Sequence, residues 1–539
     1  MRRGPLALMA LACAGCGGHG AAQPARDGGT ATLLMGTAPP SLDPSLANST
    51  EGAEALWVTN LPLLTYRHAE GEAGTQLIPA LARDLPAVSA DGRTYTLVLR
   101  RRLRYSAGRP VRASDFTRAI ERAIRLGSGY TSFFTTTIAG SAAFAARHAR
   151  AISGIRTDDA SGRIVIHLVH PYGAFANLLA FPAAAPLPPG TPLRALPQAP
   201  PVGVGPYTLA DIVPGHGFML RRNRGFAGLH LPGIPTGHLT TVKVRVVANP
   251  AAETEEVLQN RADVLDASDA VAPGLLAQVR DKRERFALTP EQETMYFFMD
   301  TRSRPFDSLQ ARQAVEYAVD RRALQRLASG FLTPSCYFIP PAVPGHVTAP
   351  CPYGLRPDLA RARRLLKASG RTGASVTVWG RATSPFAEFA RYYAGVLASI
   401  GLKPTLRLLT DSVYYPTIGS AGTHAQTGYG EWVQDFPDPS DFYALLDARS
   451  IQPRNNLNLS RVDDPAIQRA LLSLEAQTTV DPRAWAALER HTAQQAYLAV
   501  IGQRSLPKFF SDRIDFRSAI ISPVFLEDVS SWQLTDAAR

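Results

Sequence analysis

Residues 431–442 read Glu-Trp-Val-Gln-Asp-Phe-Pro-Asp-Pro-Ser-Asp-Phe and combine acidic side chains with aromatic ones. The two prolines fix φ and disfavour a continuous helix or a central strand, so this segment is predicted to be an ordered loop. Asp435 lies among aromatic side chains, where a carboxylate requires a cationic or hydrogen-bonding partner. An ammonium group of a ligand would be such a partner.

The same segment also allows a purely structural interpretation. Trp432 and Phe436 could plug a hydrophobic core, and the aspartates could cap turns. The residues of this loop alone leave both interpretations open.

Other chemistry finds little support in the sequence. It contains no Gly-x-Ser-x-Gly, no His-Glu-x-x-His and no paired-cysteine zinc motif, which disfavours a secreted hydrolase. Gly203-x-Gly205 is not a nucleotide-binding motif, because no third glycine follows at the required spacing and no helix is predicted to begin there. We therefore predict no catalytic residue, no cofactor and no metal ion.

The charge of the chain also excludes one class of partner. The formal net charge is +12, but the densest basic run, residues 100–104, comes at the end of a predicted strand. A nucleic-acid surface would need a basic stripe interleaved with aromatic residues. The run is instead expected to be a solvated sheet edge, and no nucleic acid is expected to bind.

The N-terminus is typical of an exported lipoprotein. A short basic region, Arg2 and Arg3, precedes an apolar stretch that is too short to span a bilayer. Residues 1–16 are predicted to be a lipoprotein signal peptide in which Cys16, or alternatively Cys13, receives the lipid. Residues 17–29 are predicted to be a flexible tether.

Two further cysteines remain, Cys336 and Cys351. An exported protein is exposed to an oxidising environment, so a disulfide bond between them is expected. A metal site is not expected here, because the spacing is not Cys-x-x-Cys and His346 is the one nearby histidine.

A chain of 539 residues is too long to fold around a single hydrophobic core, so two or three domains are expected. Two strand–helix–strand patterns stand out, over 240–265 and 375–409. In the first, Asn249-Pro250 starts the helix; in the second, Ser384-Pro385 starts it and Gly401 ends it. Such units predict parallel strands with right-handed crossovers, and hence two α/β sheets, one on each side of residue 290.

Several other elements have clear local signals. Strands are predicted over 30–35 and 93–99, and a short helix over 48–60 that Asn48 or Ser49 caps. Ser114 or Asp115 is predicted to cap a helix that runs to about Arg125. A single helix is predicted over 307–327, opened by a capping box formed by Asp307 and Gln310.

Several motifs occur in an order that resembles a known family. They are Leu42-Asp43-Pro44, Gly203-x-Gly205-Pro206-Tyr207, Arg222-Asn223, Pro305-Phe306-Asp307, Ala318-Val319-Asp320-Arg321 and Trp432-x-x-Asp435-Phe-Pro-Asp-Pro439. The chain resembles the extracytoplasmic solute-binding proteins of ABC importers, in the peptide/nickel group called family 5. The resemblance covers roughly residues 30–510.

The resemblance implies an α/β, two-lobed fold of the type II periplasmic-binding-protein class, with an additional small domain in the first lobe. Lobe I is expected to comprise residues 30–65, 196–293 and 500–539. The small domain is expected over 66–195, and lobe II over 294–499. The chain is expected to cross between lobes near residues 294–299 and 498–505.

In relatives that bind peptides, the aspartate of the Trp-x-x-Asp loop meets the α-ammonium group of the ligand. The resemblance gives this role to Asp435, with Glu431, Trp432 and Val433 beside it. Ser49 is a further ligand-binding candidate. Arg381 follows a predicted strand, where it could face a ligand carboxylate or be an ordinary surface arginine.

The resemblance implies a lipid-anchored receptor on the outer face of the plasma membrane that is not an enzyme. It would capture a small ligand, most readily a peptide, and deliver it to the permease subunits of an ABC transporter as a monomer. A sensor or chaperone on the same fold is the first alternative, and a secreted hydrolase is the second.

Overall fold

The structure is a computed structural model of the chain, and it describes residues 27–47 and 49–535. The predicted signal peptide, with Cys13 and Cys16, and most of the predicted tether lie outside the described residues. The same holds for Asn48, one of the two predicted helix caps.

The strands of the described residues range from two to thirteen residues in length. In chain order they are β1 Thr30–Met35, β2 Leu64–Tyr66, β3 Leu77–Pro79, β4 Ala87–Val88, β5 Thr94–Val98, β6 Ile155–Asp158, β7 Arg163–His167, β8 Tyr207–Val213, β9 Gly217–Arg222, β10 Thr241–Val246, β11 Val264–Leu265, β12 Phe286–Pro290, β13 Glu293–Met299, β14 Leu332–Pro334, β15 Ser375–Arg381, β16 Lys403–Leu409, β17 Thr427–Val433, β18 Leu498–Phe510, β19 Ile521–Ser522 and β20 Leu526–Glu527.

The α-helices of the described residues are mostly short and lie between these strands. They are α1 Thr50–Trp57, α2 Ala113–Leu126, α3 Thr131–Thr137, α4 Ser141–Ala145, α5 Phe175–Leu178, α6 Pro250–Leu258, α7 Leu276–Asp281, α8 Leu309–Ala318, α9 Arg321–Leu327, α10 Leu359–Ala368, α11 Phe386–Ile400, α12 Asp411–Ile418, α13 Pro439–Tyr443, α14 Pro465–Glu475 and α15 Pro482–Gln495.

A continuous hydrogen-bonded path of strands runs through both parts of the molecule, in the order β16-β15-β17-β13-β18-β11-β1-β10-β9-β8. The long strand β18 connects its two halves. Its first residues pair with β13, and its last residues pair with β12 and β11. β18 therefore joins the two halves of one continuous sheet, where two separate sheets were expected. The predicted crossing between lobes at 498–505 stays a prediction.

A separate four-stranded antiparallel sheet, in the order β4-β5-β7-β6, lies between β3 and β8 in the chain. Tyr95 and Leu97 of β5 are buried, as the alternation of that strand predicts. They belong to a hydrophobic cluster that also includes Phe116 and Ile120 of α2. The sheet and α2 thus share a hydrophobic cluster, while the limits of the small domain, 66–195, stay a prediction.

The local signals of the two strand–helix–strand units are confirmed except for the cap predicted at Ser384-Pro385. Ser384 does not cap α11, because the N-cap residue is Pro385 and no side chain among the described residues bonds to the start of the helix. The Asn249 side chain accepts hydrogen bonds from the backbone at the start of α6, and Gly401 ends α11 with a left-handed φ of 107°. β15 pairs in parallel with β16, and β10 and β11 pair in parallel with opposite edges of β1. The strand and helix pattern, the cap at Asn249 and the helix end at Gly401 are thus predicted correctly.

The single helix predicted over 307–327 is wrong. The segment forms two helices, α8 and α9, because Asp320 interrupts the helix. The Asp320 carboxylate accepts a hydrogen bond from Ala323 N and thereby caps α9. The backbone N–H of Asp320 donates to Tyr392 Oη over 2.7 Å. The predicted capping box is also wrong. Asp307 precedes the N-cap residue Ser308 and forms an ion pair with Arg371 over 2.6 Å.

The cap predicted for α2 is also wrong, because the N-cap residue is Arg112, two residues before Ser114 and three before Asp115. The helix begins at Ala113, and Asp115 lies inside its first turn, where its carboxylate accepts a hydrogen bond from Arg112 N over 3.0 Å. Ser114 instead donates a hydrogen bond to Asp159. An acidic residue in the first turn stabilises the exposed N–H groups in much the same way as a cap.

Cys336 and Cys351 form a disulfide bond, with Cα atoms 5.7 Å apart. The bond closes a segment with little regular structure between β14 and α10. Among the helices that the structure describes, none combines the length and the apolar character needed to span a membrane.

Candidate functional site

The segment after β17 is fixed by its prolines and aspartates. β17 ends at Val433, and α13 starts at Pro439, where the fixed φ of proline suits the first helical position. Asp438 caps this helix, because its Oδ1 accepts a hydrogen bond from Ser440 N over 2.9 Å. The ordered loop is therefore limited to residues 434–437. The prediction of a loop over 431–442 is wrong at both ends, because residues 431–433 belong to β17 and residues 439–442 to α13.

Phe436 anchors the loop to the small four-stranded domain. Its side chain is buried, and its ring lies 5.8 Å from that of Phe133 and 6.1 Å from that of Phe181, measured between centroids. Phe436 therefore packs as the structural interpretation of the sequence expects. The contact brings the end of β17 against the opposite wall of the molecule.

Asp441 stabilises the loop through hydrogen bonds that its carboxylate accepts. Its Oδ2 accepts hydrogen bonds from Trp432 Nε1 over 3.1 Å and from Asp435 N over 3.0 Å. Burial, together with the nearby charge of Asp435, raises the pKa of the Asp441 carboxyl well above its usual value. Asp441 thus orients both the tryptophan ring and the backbone of Asp435.

Asp435 differs from its neighbouring aspartates. Its side chain is open to solvent within a cleft. Within residues 27–47 and 49–535, no side chain or backbone N–H group donates a hydrogen bond to its carboxylate, and no basic residue pairs with it. The cleft walls displace much of the surrounding water, which raises the pKa of Asp435 to about 6. The carboxylate is therefore available to a ligand.

Asp435 lines a cavity of about 100 Å³ whose walls come from distant parts of the chain. Val433 and Gln434 line the same side as Asp435. The facing walls combine the start of α1, two aromatic side chains and the C-terminal segment: Ser49, Thr50, Ala53, Tyr130, Phe181, Pro523, Val524, Phe525 and Leu526. The structure thus places Ser49, Val433 and Asp435 around one cavity.

Ser49 reaches this cavity as the cap of α1. Its Oγ accepts a hydrogen bond from Gly52 N over 3.3 Å, as expected from the sequence. Its hydroxyl O–H can donate to a ligand while the oxygen continues to accept from the helix.

Glu431 and Trp432 line a second, larger cavity of about 420 Å³. Its remaining walls are mainly apolar and include Tyr296, Tyr415 and Leu445. The five residues from Glu431 to Asp435 therefore line two neighbouring cavities, one with an available carboxylate and one with an aromatic and aliphatic surface.

Arg381 is already paired within the protein. Its guanidinium contacts Glu431 Oε1 over 2.6 Å and Asp411 Oδ1 over 2.9 Å, and it stacks on the Phe386 ring at 3.8 Å. Tyr429 Oη also donates a hydrogen bond to Glu431 Oε2 over 2.6 Å. Arg381 and Glu431 thus neutralise each other beside the cleft, and their ligand-binding role stays a prediction.

Sequence reasoning missed several cavity residues. Tyr130, Phe181 and the segment 523–526 carry no motif, and they lie at least 86 residues from the loop 434–437 in sequence. The buried ring contacts of Phe436 and the return of the chain after β18 bring them there. Only the tertiary fold places them opposite Asp435.

A serine, a histidine and an aspartate lie close together in the structure, but their geometry is not that of a catalytic triad. His68 Nδ1 lies 2.8 Å from Asp528 Oδ2, and Ser530 Oγ lies 3.5 Å from the same ring nitrogen. A hydrolytic triad needs its serine at the other ring nitrogen. All three side chains are also buried, and His68 stacks on Trp57, so the group is structural.

Comparison with known proteins agrees with this geometry. The profile of the bacterial extracellular solute-binding proteins, family 5, matches residues 76–452. A glutathione-binding protein of Salmonella choleraesuis is 28% identical over 337 residues, which span 59% of this chain and 58% of that protein. The chain thus matches less than two thirds of the length of that relative.

Two solved structures share the fold over nearly the whole length. One is the clavulanic acid biosynthesis oligopeptide binding protein 2, with a TM-score of 0.86, 24% identity, and coverage of 95% of this chain and 96% of that one. The other is the unliganded open form of the periplasmic murein tripeptide binding protein MppA, with a TM-score of 0.78, 20% identity, and coverage of 96% and 99%. Both have the two-lobed periplasmic-binding-protein fold. Because the family profile covers well over half of the 539 residues, the chain belongs to the extracellular solute-binding proteins of family 5.

Proposed function

We propose that this protein captures a small ligand with a protonated amine, most readily a peptide, between its two lobes and delivers it to an ABC transporter permease. The observation that carries this proposal is the Asp435 carboxylate, which faces the cleft without a partner among the described residues. A ligand ammonium group would supply the missing positive charge.

The physical basis of capture is closure of the two walls on the ligand. Closure excludes water, which strengthens the attraction between Asp435 and an ammonium group. A ligand can drive closure only if it binds the closed form more tightly than the open one. Contacts with both walls of the cavity, such as those with Asp435 and Ser49, provide this difference. In this proposal the lobes keep the limits predicted above.

A peptide is favoured for two reasons. The names of the two structural relatives denote oligopeptide and tripeptide binding, and that of the sequence relative denotes glutathione binding. In addition, the mainly apolar cavity beside Trp432 can take a side chain of a ligand whose amine is at Asp435.

The proposal includes the location and partners that the sequence predicts. The mature protein is exported and acts as a monomer. A lipid on Cys16, with Cys13 as the alternative site, holds it at the outer face of the plasma membrane. Its partners are the ligand and the permease subunits, and it performs no catalysis.

The test begins with the ligand itself. Mass spectrometry of the mature protein under native and then denaturing conditions should release a small amine-containing molecule. Cells lacking the protein should fail to take up that molecule, and uptake should return with the wild-type gene. Normal uptake with an altered gene response would favour the sensor, and turnover of the molecule by the purified protein would favour the hydrolase.

A further inference from the structure

Three buried carboxylates converge outside the ligand cavity. Glu54 lies in α1, Asp266 follows β11 and Glu527 lies in β20, and each is at most 2% exposed. One oxygen atom from each side chain lies within 4.8 Å of the other two. Three elements that are far apart in sequence thus direct acidic groups at one point.

Each of these carboxylates is held in place by a backbone N–H group. Glu54 Oε1 accepts from Glu527 N over 2.7 Å, Asp266 Oδ1 accepts from Ser268 N over 2.8 Å, and Glu527 Oε1 accepts from Ala267 N over 2.7 Å. These bonds leave the second oxygen of each group directed elsewhere. A metal site commonly orients its ligands in this way.

The second oxygen atoms are the unusual feature. Glu54 Oε2, Asp266 Oδ2 and Glu527 Oε2 are shielded from solvent, and among the described residues no amide, hydroxyl or basic group donates a hydrogen bond to them. Without a cation, the neighbouring Glu54 and Glu527 carboxyl groups can only share a proton with each other. Buried, unpaired carboxylate oxygens are costly, and native proteins compensate them with hydrogen bonds, cations or metals.

The protein provides no cation for these groups in the part of the chain that the structure describes. None of the three forms an ion pair, and Arg504, which donates to the Ser268 carbonyl, pairs with Glu291 instead. A further buried carboxylate, Glu253, interacts electrostatically with Asp266, and its Oε1 also has no donor. The neighbourhood therefore adds a fourth buried carboxyl group, and no cation, to the three groups.

We propose that Glu54, Asp266 and Glu527 bind one Ca²⁺ ion, a site distinct from the ligand cavity. Ca²⁺–oxygen distances of about 2.3–2.6 Å allow two ligand oxygens on one ion to lie up to about 5 Å apart, and these oxygens satisfy that limit. An all-carboxylate set without nitrogen or sulfur favours a hard cation over zinc or copper.

A Ca²⁺ ion at this site would stabilise one wall of the ligand cleft. Ser49 and Thr50, at the start of α1, line the cavity, and so does Leu526, the neighbour of Glu527. Ca²⁺ would tie α1 and the C-terminal segment to the loop after β11. The wall that faces Asp435 would then depend on the ion for its position.

The test measures Ca²⁺ on the whole exported chain. After dialysis against EGTA, we expect about 2 mM Ca²⁺ to raise the midpoint of thermal unfolding by about 2 °C or more, and Mg²⁺ to raise it less. Elemental analysis after gel filtration should find a stoichiometric amount of Ca²⁺. An unchanged midpoint with no bound Ca²⁺ overturns the proposal, as does a larger effect of Mg²⁺.

Matched variants locate the site. Glu527→Gln and Asp266→Asn keep the shape but remove a charged ligand, and each should weaken Ca²⁺ binding in calorimetric titration at least tenfold. Glu489→Gln is the control, because Glu489 is a fully buried glutamate in α15 whose Oε1 accepts from Phe338 N. It should retain the wild-type affinity. Binding by the ligand variants as tight as that of the control overturns the assignment, and if the variants do not fold, the wild-type measurements decide.

Discussion

The backbone N–H of Asp435 donates a hydrogen bond to Asp441 Oδ2 over 3.0 Å, and this bond links two aspartates whose carboxyl groups have opposite surroundings. Asp441 is buried and also accepts from Trp432, whereas Asp435 is open to the cleft. The buried aspartate therefore shapes the loop, and the open one is left for a ligand. The structural interpretation of this segment holds for Asp441, and the ligand-binding interpretation of Asp435 stays a prediction.

The first prediction concerns Asp435→Asn, which keeps the side-chain shape but removes the charge. The ammonium group of the ligand would lose its counter-charge inside a closed cleft, so binding should weaken by about 2–5 kcal/mol. The thermal midpoint should hardly change, because Asp435 makes no side-chain bond in the described structure. Calorimetric titration with the co-purified ligand and thermal unfolding measure the two effects.

Asp438→Ala is the matched control on the same loop. Asp438 is buried and caps α13, so its loss should cost about 0.5–2 kcal/mol of stability and leave the ligand affinity nearly unchanged. If Asp435→Asn instead binds the ligand within about threefold of the wild type, Asp435 does not belong to the binding site.

The second prediction is a pH dependence of ligand binding. Desolvation raises the pKa of Asp435 to about 6, and a ligand amine with a pKa of about 8 stays charged below that value. Only the ionised carboxylate attracts the ammonium group. Affinity should therefore be constant from about pH 6.5 to 7.5 and should decrease as the pH falls through 6, approaching tenfold per pH unit.

Titrations of wild type and Asp435→Asn across this range test that dependence. The variant should show a flat profile between pH 5 and 7. A wild-type affinity that increases as the pH falls through 6 would contradict the sign of this argument and point to an anionic or neutral ligand.

Local sequence signals predicted the elements more reliably than the site. Asn249-Pro250 and Gly401 mark helix ends through bonds with their own neighbours, so sequence alone locates them. The break at Asp320 was missed because a tyrosine from α11, 72 residues away, binds its N–H. Tyr130 and Leu526 at the cavity were missed for a similar reason, since their positions follow from packing between distant segments.

The third prediction concerns Arg381→Met, which removes a guanidinium that pairs with Glu431 and Asp411. The partly buried Glu431 carboxylate would lose its cation, so the free energy of unfolding should fall by about 1–3 kcal/mol. Ligand affinity should change by less than about threefold, because the Arg381 guanidinium is already paired with Glu431 and Asp411 and is not available to a ligand. More than a tenfold loss of affinity with an unchanged thermal midpoint would assign Arg381 to the ligand after all.

The fourth prediction concerns the Cys336–Cys351 bond. Thiol counting on the denatured, unreduced mature protein should find no free sulfhydryl at either position. The double variant Cys336→Ser, Cys351→Ser should lose about 3 kcal/mol of stability, because the bond restricts a segment with a sequence separation of 15 in the unfolded chain. Dithiothreitol should lower the midpoint of the wild type and leave that of the double variant unchanged. Two titratable thiols in the wild type would rule out the bond.

The last prediction concerns attachment to the membrane. A lipoprotein signal followed by a glycine-rich tether predicts a lipid on Cys16, and acyl chains hold a protein at the bilayer through the burial of their methylene groups. The wild-type protein should therefore sediment with membranes, and Cys16→Ser should appear in the soluble exported fraction at its full mature length. Cys13→Ser is the control and should stay with the membranes. If Cys13→Ser releases the protein and Cys16→Ser does not, Cys13 carries the lipid and the tether begins three residues earlier.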